Sequence, residues 1–483
     1  MAFKDDASFL HFVTMGAMGT RVGWAGLEQA GHRIVELERY CCSNKIWATK
    51  VKRLRLPDLL CLRCGRRFEV RTKTSLEIKM SHSPTNPDRV WDAGMRDNDV
   101  AVFLRCHDEP NLAVANTLNC FEVSQLRATQ PLAKLGPPKS ASEGAERDLT
   151  WPSWVPGVSG TVTAIEANGA GTRLVVSYAN GKRYTYPAGG KHVHGQIGTA
   201  FVGGEQILAS VVPSQADIRC AGDIWNPIIN ADTSPAEIFT GLKGLTHRQA
   251  EGSADQIRVM LGHADPRIRL EAAAAIARRE EAAGLAFLSD SLKGTGESTP
   301  WALEAAFILA ELRTPNALAS LRVGARSAPH PEARSACLWG LRGDPASLAI
   351  SFQAATDDDE SVAIHAAIVG ATQILNDEST ALAIAHLEGD PARAAVAMEA
   401  LARAQSPSFN LVLAAASGTG AAANWAFTAL SRMTPNAVKQ SAGWSDAPTA
   451  MKGALTRAWF ARETSWLEGD NQRALDVLSR QHL

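Results

Sequence analysis

The sequence predicts a multidomain chain: an α/β N-terminal domain, a small β-barrel or sandwich in the middle, and an α-solenoid over the C-terminal half. Three observations carry that reading. Alanine-rich stretches recur at a near-constant spacing after residue 246, short β-rich runs crowd the region between residues 158 and 215, and a helix–strand–hairpin pattern opens the chain. With 483 residues, the chain has room for about three domains of roughly 100–200 residues each. The expected boundaries are 1–126 for the α/β domain, 127–157 for a linker, 158–215 for the β domain and 246–483 for the repeats.

In the first domain, Thr20 to Ala30 reads as a helix ending at Gly31, where glycine suits a left-handed cap. The run from His32 to Tyr40 alternates as a strand. The runs from Arg53 to Leu62 and from Arg66 to Thr74 follow as the two arms of a hairpin, with Arg63-Cys64-Gly65 at its turn. The polar stretch from Arg89 to Asp99, with Trp91 as a core anchor, leads into a further strand at Ala101 to Cys106. The segment from Arg127 to Gly157 is rich in Pro, Gly, Ser and charge and has no sustained apolar period, which is linker composition.

Beyond it, runs starting at Gly160, Thr172, Lys182 and Glu205 have strand character, and Asn180-Gly181 marks a two-residue hairpin. The C-terminal half then repeats. Stretches starting at Glu271, Glu304, Ser335, His365, Ala395 and Trp425 are separated by 33, 31, 30, 30 and 30 residues. Such a period belongs to stacked helix pairs, each needing a neighbour to cover its apolar face. Asp265-Pro266, Pro331, Asp357 to Glu360 and Asp390-Pro391 stand where these helices would start. The phrases beginning at Leu261 and Gly389 resemble HEAT repeats, which implies a docking surface and not an active site.

The formal net charge of −1 hides an asymmetry. Arg39 to Lys79 holds twelve basic and three acidic residues, whereas Asp265 to the end holds nineteen basic and twenty-four acidic ones. The first stretch would attract a polyanion and the second would not. No run approaches the ~18 apolar residues of a membrane span. The start of the chain carries Asp5 and Asp6 and lacks the pattern of a secretory signal. The expectation is a cytosolic protein with no membrane partner.

The chemistry is expected in the hairpin. Asp58 on one arm and Glu69 on the other would offer hard oxygens to Mg2+ or Mn2+, and Glu69, Arg71 and Lys73 share a strand face. Pro57-Asp58 followed by Glu69-Val70-Arg71-Thr72-Lys73 resembles the PD-(D/E)XK, or restriction-endonuclease-like, nuclease superfamily. That resemblance implies a metal held by Asp58 and Glu69, with Glu28 on the preceding helix as an extra acid. Arg71 stands where the family keeps a lysine. An arginine does not readily release a proton, so Lys73 is the substitute base. Glu77-Ile78-Lys79 spells the motif more closely and ranks second, because Glu69 lies directly across a short hairpin from Asp58. Lys50, Lys52, Arg53, Arg55, Arg66, Arg67 and Lys79 would contact phosphates. The competing reading is an ordinary strand pair: Asp58 capping a turn, and Glu69, Arg71 and Lys73 on a solvated face.

Eight cysteines are too few for a disulfide scaffold in a chain this long. Cys61 and Cys64, followed by Gly65, spell a zinc knuckle, with Cys41 or Cys42 as a third ligand and His32 or Cys106 as a fourth; the plain alternative is a set of buried thiols. His192 and His194 form a weaker metal pair, and His82 lies near enough to the hairpin to touch a phosphate. No phosphate-cradling loop or dinucleotide fingerprint occurs.

Together these features imply a Mg2+- or Mn2+-dependent endonuclease acting on DNA. A structural Zn2+ and a helical array for a protein partner or self-association would accompany it, as in prokaryotic restriction or antiviral-defence effectors. The alternative is a non-catalytic adaptor whose zinc-stapled N-terminal domain binds nucleic acid or protein.

Overall fold

The computed structural model describes residues 6–38, 49, 51–83, 86, 90–107, 112–135, 147–168, 171–227, 229, 233–248, 253–279 and 281–462. The chain divides into two compact units. The first runs to Ile257, and the second starts at Arg258 and also takes in Thr49 and Val51. Among the described residues, no helix is long and apolar enough to cross a membrane.

The first unit is α/β. A long helix α1 (Asp6–Gln29) precedes β1 (Ile34–Glu36), β2 (Leu59–Cys61), β3 (Arg67–Lys73), β4 (Ile78–His82), β5 (Val100–His107), β6 (Ala113–Val114), β7 (Asn119–Glu122) and α2 (Val123–Ala128). The main sheet runs β1-β2-β3-β5-β6 with β7 also on β5; β1, β2 and β3 are antiparallel in turn, and β3 and β5 are parallel. Side chains alternate across β3, so its two faces have separate fates. Val70 and Thr72 face α1, which approaches closely through Gly19 and Gly23; a Cβ at Gly19 would meet the Thr72 side chain. Arg67, Glu69, Arg71 and Lys73 occupy the opposite face.

The segment read as a linker carries regular structure where it is described. Its described parts form β8 (Leu132–Leu135) and β9 (Arg147–Trp151), which pair with each other and with β4 in a second sheet. Trp151 is fully buried there and donates its indole N–H to Leu126 O and Thr129 O. Apolar residues flanking the polar region were enough to build strands from a composition that suggested none.

After β10 (Ser153–Trp154), the β-rich middle forms β11 (Gly160–Asn168), β12 (Gly171–Tyr178), β13 (Arg183–Gly189), β14 (His192–Val193), β15 (Ala200–Phe201) and β16 (Ala209–Ser210). The Asn180-Gly181 turn is as expected: Gly181 has φ +81° and the Asn180 carboxamide accepts from Lys182 N. This region is not detached from the main sheet. Buried Asn119 on β7 donates to Glu205 O and accepts from Ile207 N. The unit closes on α3 (Pro235–Arg248) and ends within α4 (Ser253–Val259), so helical structure begins earlier than residue 246 while the helical unit begins later.

The second unit is all-helical: α5 (Pro266–Ala277), α6 (Ala282–Ser291), α7 (Thr299–Leu312), α8 (Pro315–Ser327), α9 (Pro331–Gly340), α10 (Leu348–Ala354), α11 (Glu360–Ala371), α12 (Asp377–Ala385), α13 (Pro391–Arg403), α14 (Phe409–Ala416), α15 (Ala421–Arg432), α16 (Pro435–Lys439), α17 (Gly443–Asp446) and α18 (Thr449–Arg462). The six recurring stretches fall on α5, α7, α9, α11, α13 and α15, and each of these helices packs on the next. Their alanines supply the contact surface, and Ala305, Ala336, Ala366, Ala397 and Ala426 are all fully buried. The helix starts are as read: Asp265, Asp359 and Asp390 accept from backbone N–H groups of the first turn, and prolines follow Asp265, His330 and Asp390. Thr49 N donates to the Glu332 carboxylate, and Val51 joins the helical core.

Candidate functional site

The β2–β3 pairing matches Leu59 with Phe68 and Leu60 with Arg67. One step further in the same register, Asp58 stands opposite Glu69, and directly opposed residues of an antiparallel pair share a face. The Asp58 carboxylate curls back onto β3, where Oδ2 accepts from Val70 N at 2.8 Å. Glu69 is 7% exposed, and its Oε1 lies 2.5 Å from the Arg71 guanidinium. Burial pushes both carboxyls up, Glu69 to about 8, against the pull of Arg71; Asp58, Asp99 and Glu38 add further negative charge around Glu69. The surroundings of Glu69 therefore favour its protonated, neutral form.

Glu38 was missed as a member of this group. It lies beyond β1, and its two oxygens accept from Leu54 N (2.7 Å) and Leu56 N (3.0 Å). It thereby holds the chain that enters β2. Sequence offered one signal: Glu38 follows Glu36 in the alternation that was read as a strand. Lys73 lies at the outer end of the row, where burial, then Arg71 and Lys79, lower its ammonium pKa. A lysine disposed to lose its proton is the better base of the two cations on this face. Glu28 does not join them. It is exposed on α1, the helix that covers the Val70 and Thr72 face.

The expected phosphate contacts divide. Lys52 and Arg55 are exposed and Arg53 is half-buried, while Lys50 lies outside the described residues. Arg67 and Arg66 are corrected to internal roles. Arg67 is 0% exposed and grips Asp99, itself 1% exposed, through Nε and Nη2. Arg66 bonds Glu122, Asn98 O and Asp217 O. Lys79 pairs with Asp148 at 3.0 Å and with Glu77 at 3.4 Å, so the second-ranked motif is largely occupied with its own neighbours. Trp91 packs edge-on against Trp151, the core role expected, and its backbone N–H donates to His82 Nδ1.

A second constellation lies at the hairpin turn. His32, Cys61, Cys64 and Cys220 bring one ligand atom each within 4.8 Å of all the others, a His/Cys3 cluster able to hold a metal such as zinc. Cys61, Cys64 and His32 were anticipated. Cys41 and Cys42 lie outside the described residues. Cys106 is buried on β5, with its thiol against its own strand at His107 O, 3.7 Å away. Cys220 was missed, because a lone cysteine 156 residues beyond Cys64 gives no spacing signal. A hydrogen bond from Cys64, then His32 and backbone amides, pulls the Cys61 thiol down to about 3, while Cys64 as donor moves upward. Of the weaker pair, His194 is held near 4 by burial and bonds Ser210, and His192 is exposed.

No family model matches the chain, and no curated protein matches it.

Proposed function

We propose that the first unit is a metal-dependent phosphodiesterase of the PD-(D/E)XK type acting on DNA, with the HEAT-like helical unit serving a partner protein or a second copy. The observation that carries this reading is the opposition of Asp58 and Glu69 on one face of the β2–β3 hairpin. The donor set fits a hard divalent cation such as Mg2+ or Mn2+: two carboxylates opposed on one face of the hairpin. Such an ion would supply Lewis acidity to a phosphoryl oxygen. Asp58 and Glu69 would hold it, Lys73 would accept a proton from the attacking water, and Arg71, 46% exposed at its side chain, would turn outward to neutralise phosphate charge. Lys52 and Arg55 would meet the backbone of the nucleic acid.

The test is plasmid DNA with Mg2+ or Mn2+. Cleavage by the wild type and its loss in Asp58→Ala and Glu69→Ala are expected, with Lys73→Ala slowed by about 100-fold or more. A second reading, a non-catalytic adaptor, is favoured by one specific observation: Arg71 neutralises Glu69 through an ion pair. It predicts salt-sensitive binding of DNA with no cleavage by any form.

A further inference from the structure

We propose that His32, Cys61, Cys64 and Cys220 bind one structural zinc ion, which clamps three separate stretches of the first unit together at the turn of the β2–β3 hairpin. The argument begins with distances. Zinc bonds of about 2.3 Å to sulfur and about 2.0–2.1 Å to nitrogen, at tetrahedral angles, set two thiolates roughly 3.8 Å apart and a thiolate and a ring nitrogen roughly 3.6 Å apart. Cys61 Sγ lies 3.8 Å from Cys220 Sγ, and Cys64 Sγ lies 3.6 Å from His32 Nδ1. A disulfide would need about 2.05 Å. The sulfurs have the spacing of ligands around a common centre, not of bonded partners.

The surroundings have the form that zinc ligands require. His32 turns Nδ1 inward while Nε2–H donates to Ile218 O at 2.7 Å, which fixes the tautomer that leaves Nδ1 free to coordinate. Backbone N–H groups serve the sulfurs: Arg63 N lies 3.4 Å from Cys61 Sγ, and the amides of Cys64 and Arg66 donate to Cys61 and Cys64 in turn. Gly65 has φ +74°, which allows the chain to fold back so that Gly65 N reaches Cys61 O at 2.9 Å; a Cβ there would strike Trp225. Gly31, at φ +89°, ends α1 and delivers His32, and Cys220 is positioned by its N–H bonding Ala30 O at 3.0 Å. Three thiolates and one neutral imidazole around a divalent ion carry a net charge of −1. The Arg63 guanidinium, anchored to Gly31 O and Asp223, sits where it interacts with Cys61 and Cys220.

Four protein ligands leave no position for water, so the ion's role is structural. Cys61 and Cys220 are 159 residues apart, and one metal ties these distant segments to each other. The proposal does not depend on the nuclease reading, because it concerns metal content and stability alone.

The full chain, purified without chelator, is expected to carry one zinc per molecule by elemental mass spectrometry. Cys220→Ser should retain zinc at least tenfold less well against a competing chelator. Should that variant fail to fold, Co2+ exchanged into the wild type should give the intense visible bands of a tetrahedral, thiolate-rich site, and chelation should lower the unfolding temperature of the first unit. Metal-free protein that gives no tetrahedral Co2+ spectrum overturns the proposal. So does zinc retained undiminished in Cys220→Ser, or a Cys61–Cys220 disulfide in the intact mass.

Discussion

The two units are held together over different distances along the chain. In the helical unit the bonds between helices span about one repeat, the Thr49 to Glu332 bond apart: Arg278 to Glu311 is 33 residues, Ser289 to Ser320 is 31, Arg432 to Glu399 is 33 and Trp459 to Leu430 is 29. In the α/β unit the corresponding bonds join Asn119 to Glu205 across 86 residues, Arg96 to Glu237 across 141 and His32 to Ile218 across 186. A nearest-neighbour stack can lose one link and keep the rest, whereas a unit closed by long-range bonds loses them together. The polar interior differs in kind as well. The α/β unit buries an ion pair and a carboxylate cluster in one place, and the helical unit distributes its buried polar groups repeat by repeat, at Glu271, Glu304, Ser335 and His365.

The sharpest attack on that contrast is Arg67→Ala. It strands Asp99 in the interior and should cost the first unit about 3–5 kcal/mol, with the helical unit's transition unmoved in a urea titration followed by probes in each unit. A single shared shift would break the comparison. Glu69 supplies the next effect. Its carboxyl is raised from 4.5 to about 8, so its contribution to stability is complete below about pH 4.5 and is lost as pH rises through about 8. Denaturation between pH 5 and 8.5 should show the first unit weakening, and Glu69→Gln should flatten that slope. In the helical unit, Leu338→Ala on α9 removes a fully buried side chain and should cost about 2–4 kcal/mol. Amide exchange should rise in the adjacent helix pairs before the distant ones. The smallest change is Asp390→Ala, which deletes the cap on Ala392 N and Arg393 N and should cost about 1 kcal/mol, read as exchange confined to the first turn of α13.

The same contrast explains what the sequence disclosed. Helix pairs repeat every thirty residues or so, and each stretch of the chain carries its own instruction, so the six motifs landed on six stacked helices. β3 and β5 were also legible, because the alternation of β3 and the apolar run of β5 are local. The run from Arg53 to Leu62 promised a long strand but gave only Leu59–Cys61. Arg55 takes φ +63° and Pro57 has no N–H to offer a ladder, so the alternation there was accidental. The basic patch was misread at Arg66 and Arg67 for a related reason. Their partners Glu122 and Asp99 lie 56 and 32 residues away, and composition cannot distinguish a paired cation from a free one. Cys220 was invisible on the same ground, because it acquires its meaning only from where the chain returns, and Glu38 gave only the faint signal of its place in the alternation after Glu36.

Thr49 and Val51, which pack with the helices, lie between two stretches of the α/β unit. The polypeptide therefore crosses from one body to the other three times, not once. A single protease cut after residue 257 would leave the helical fragment without the strand of backbone that its Glu332 receives. Any attempt to express that half by itself will have to supply those few residues from elsewhere or accept an open seam beside α9.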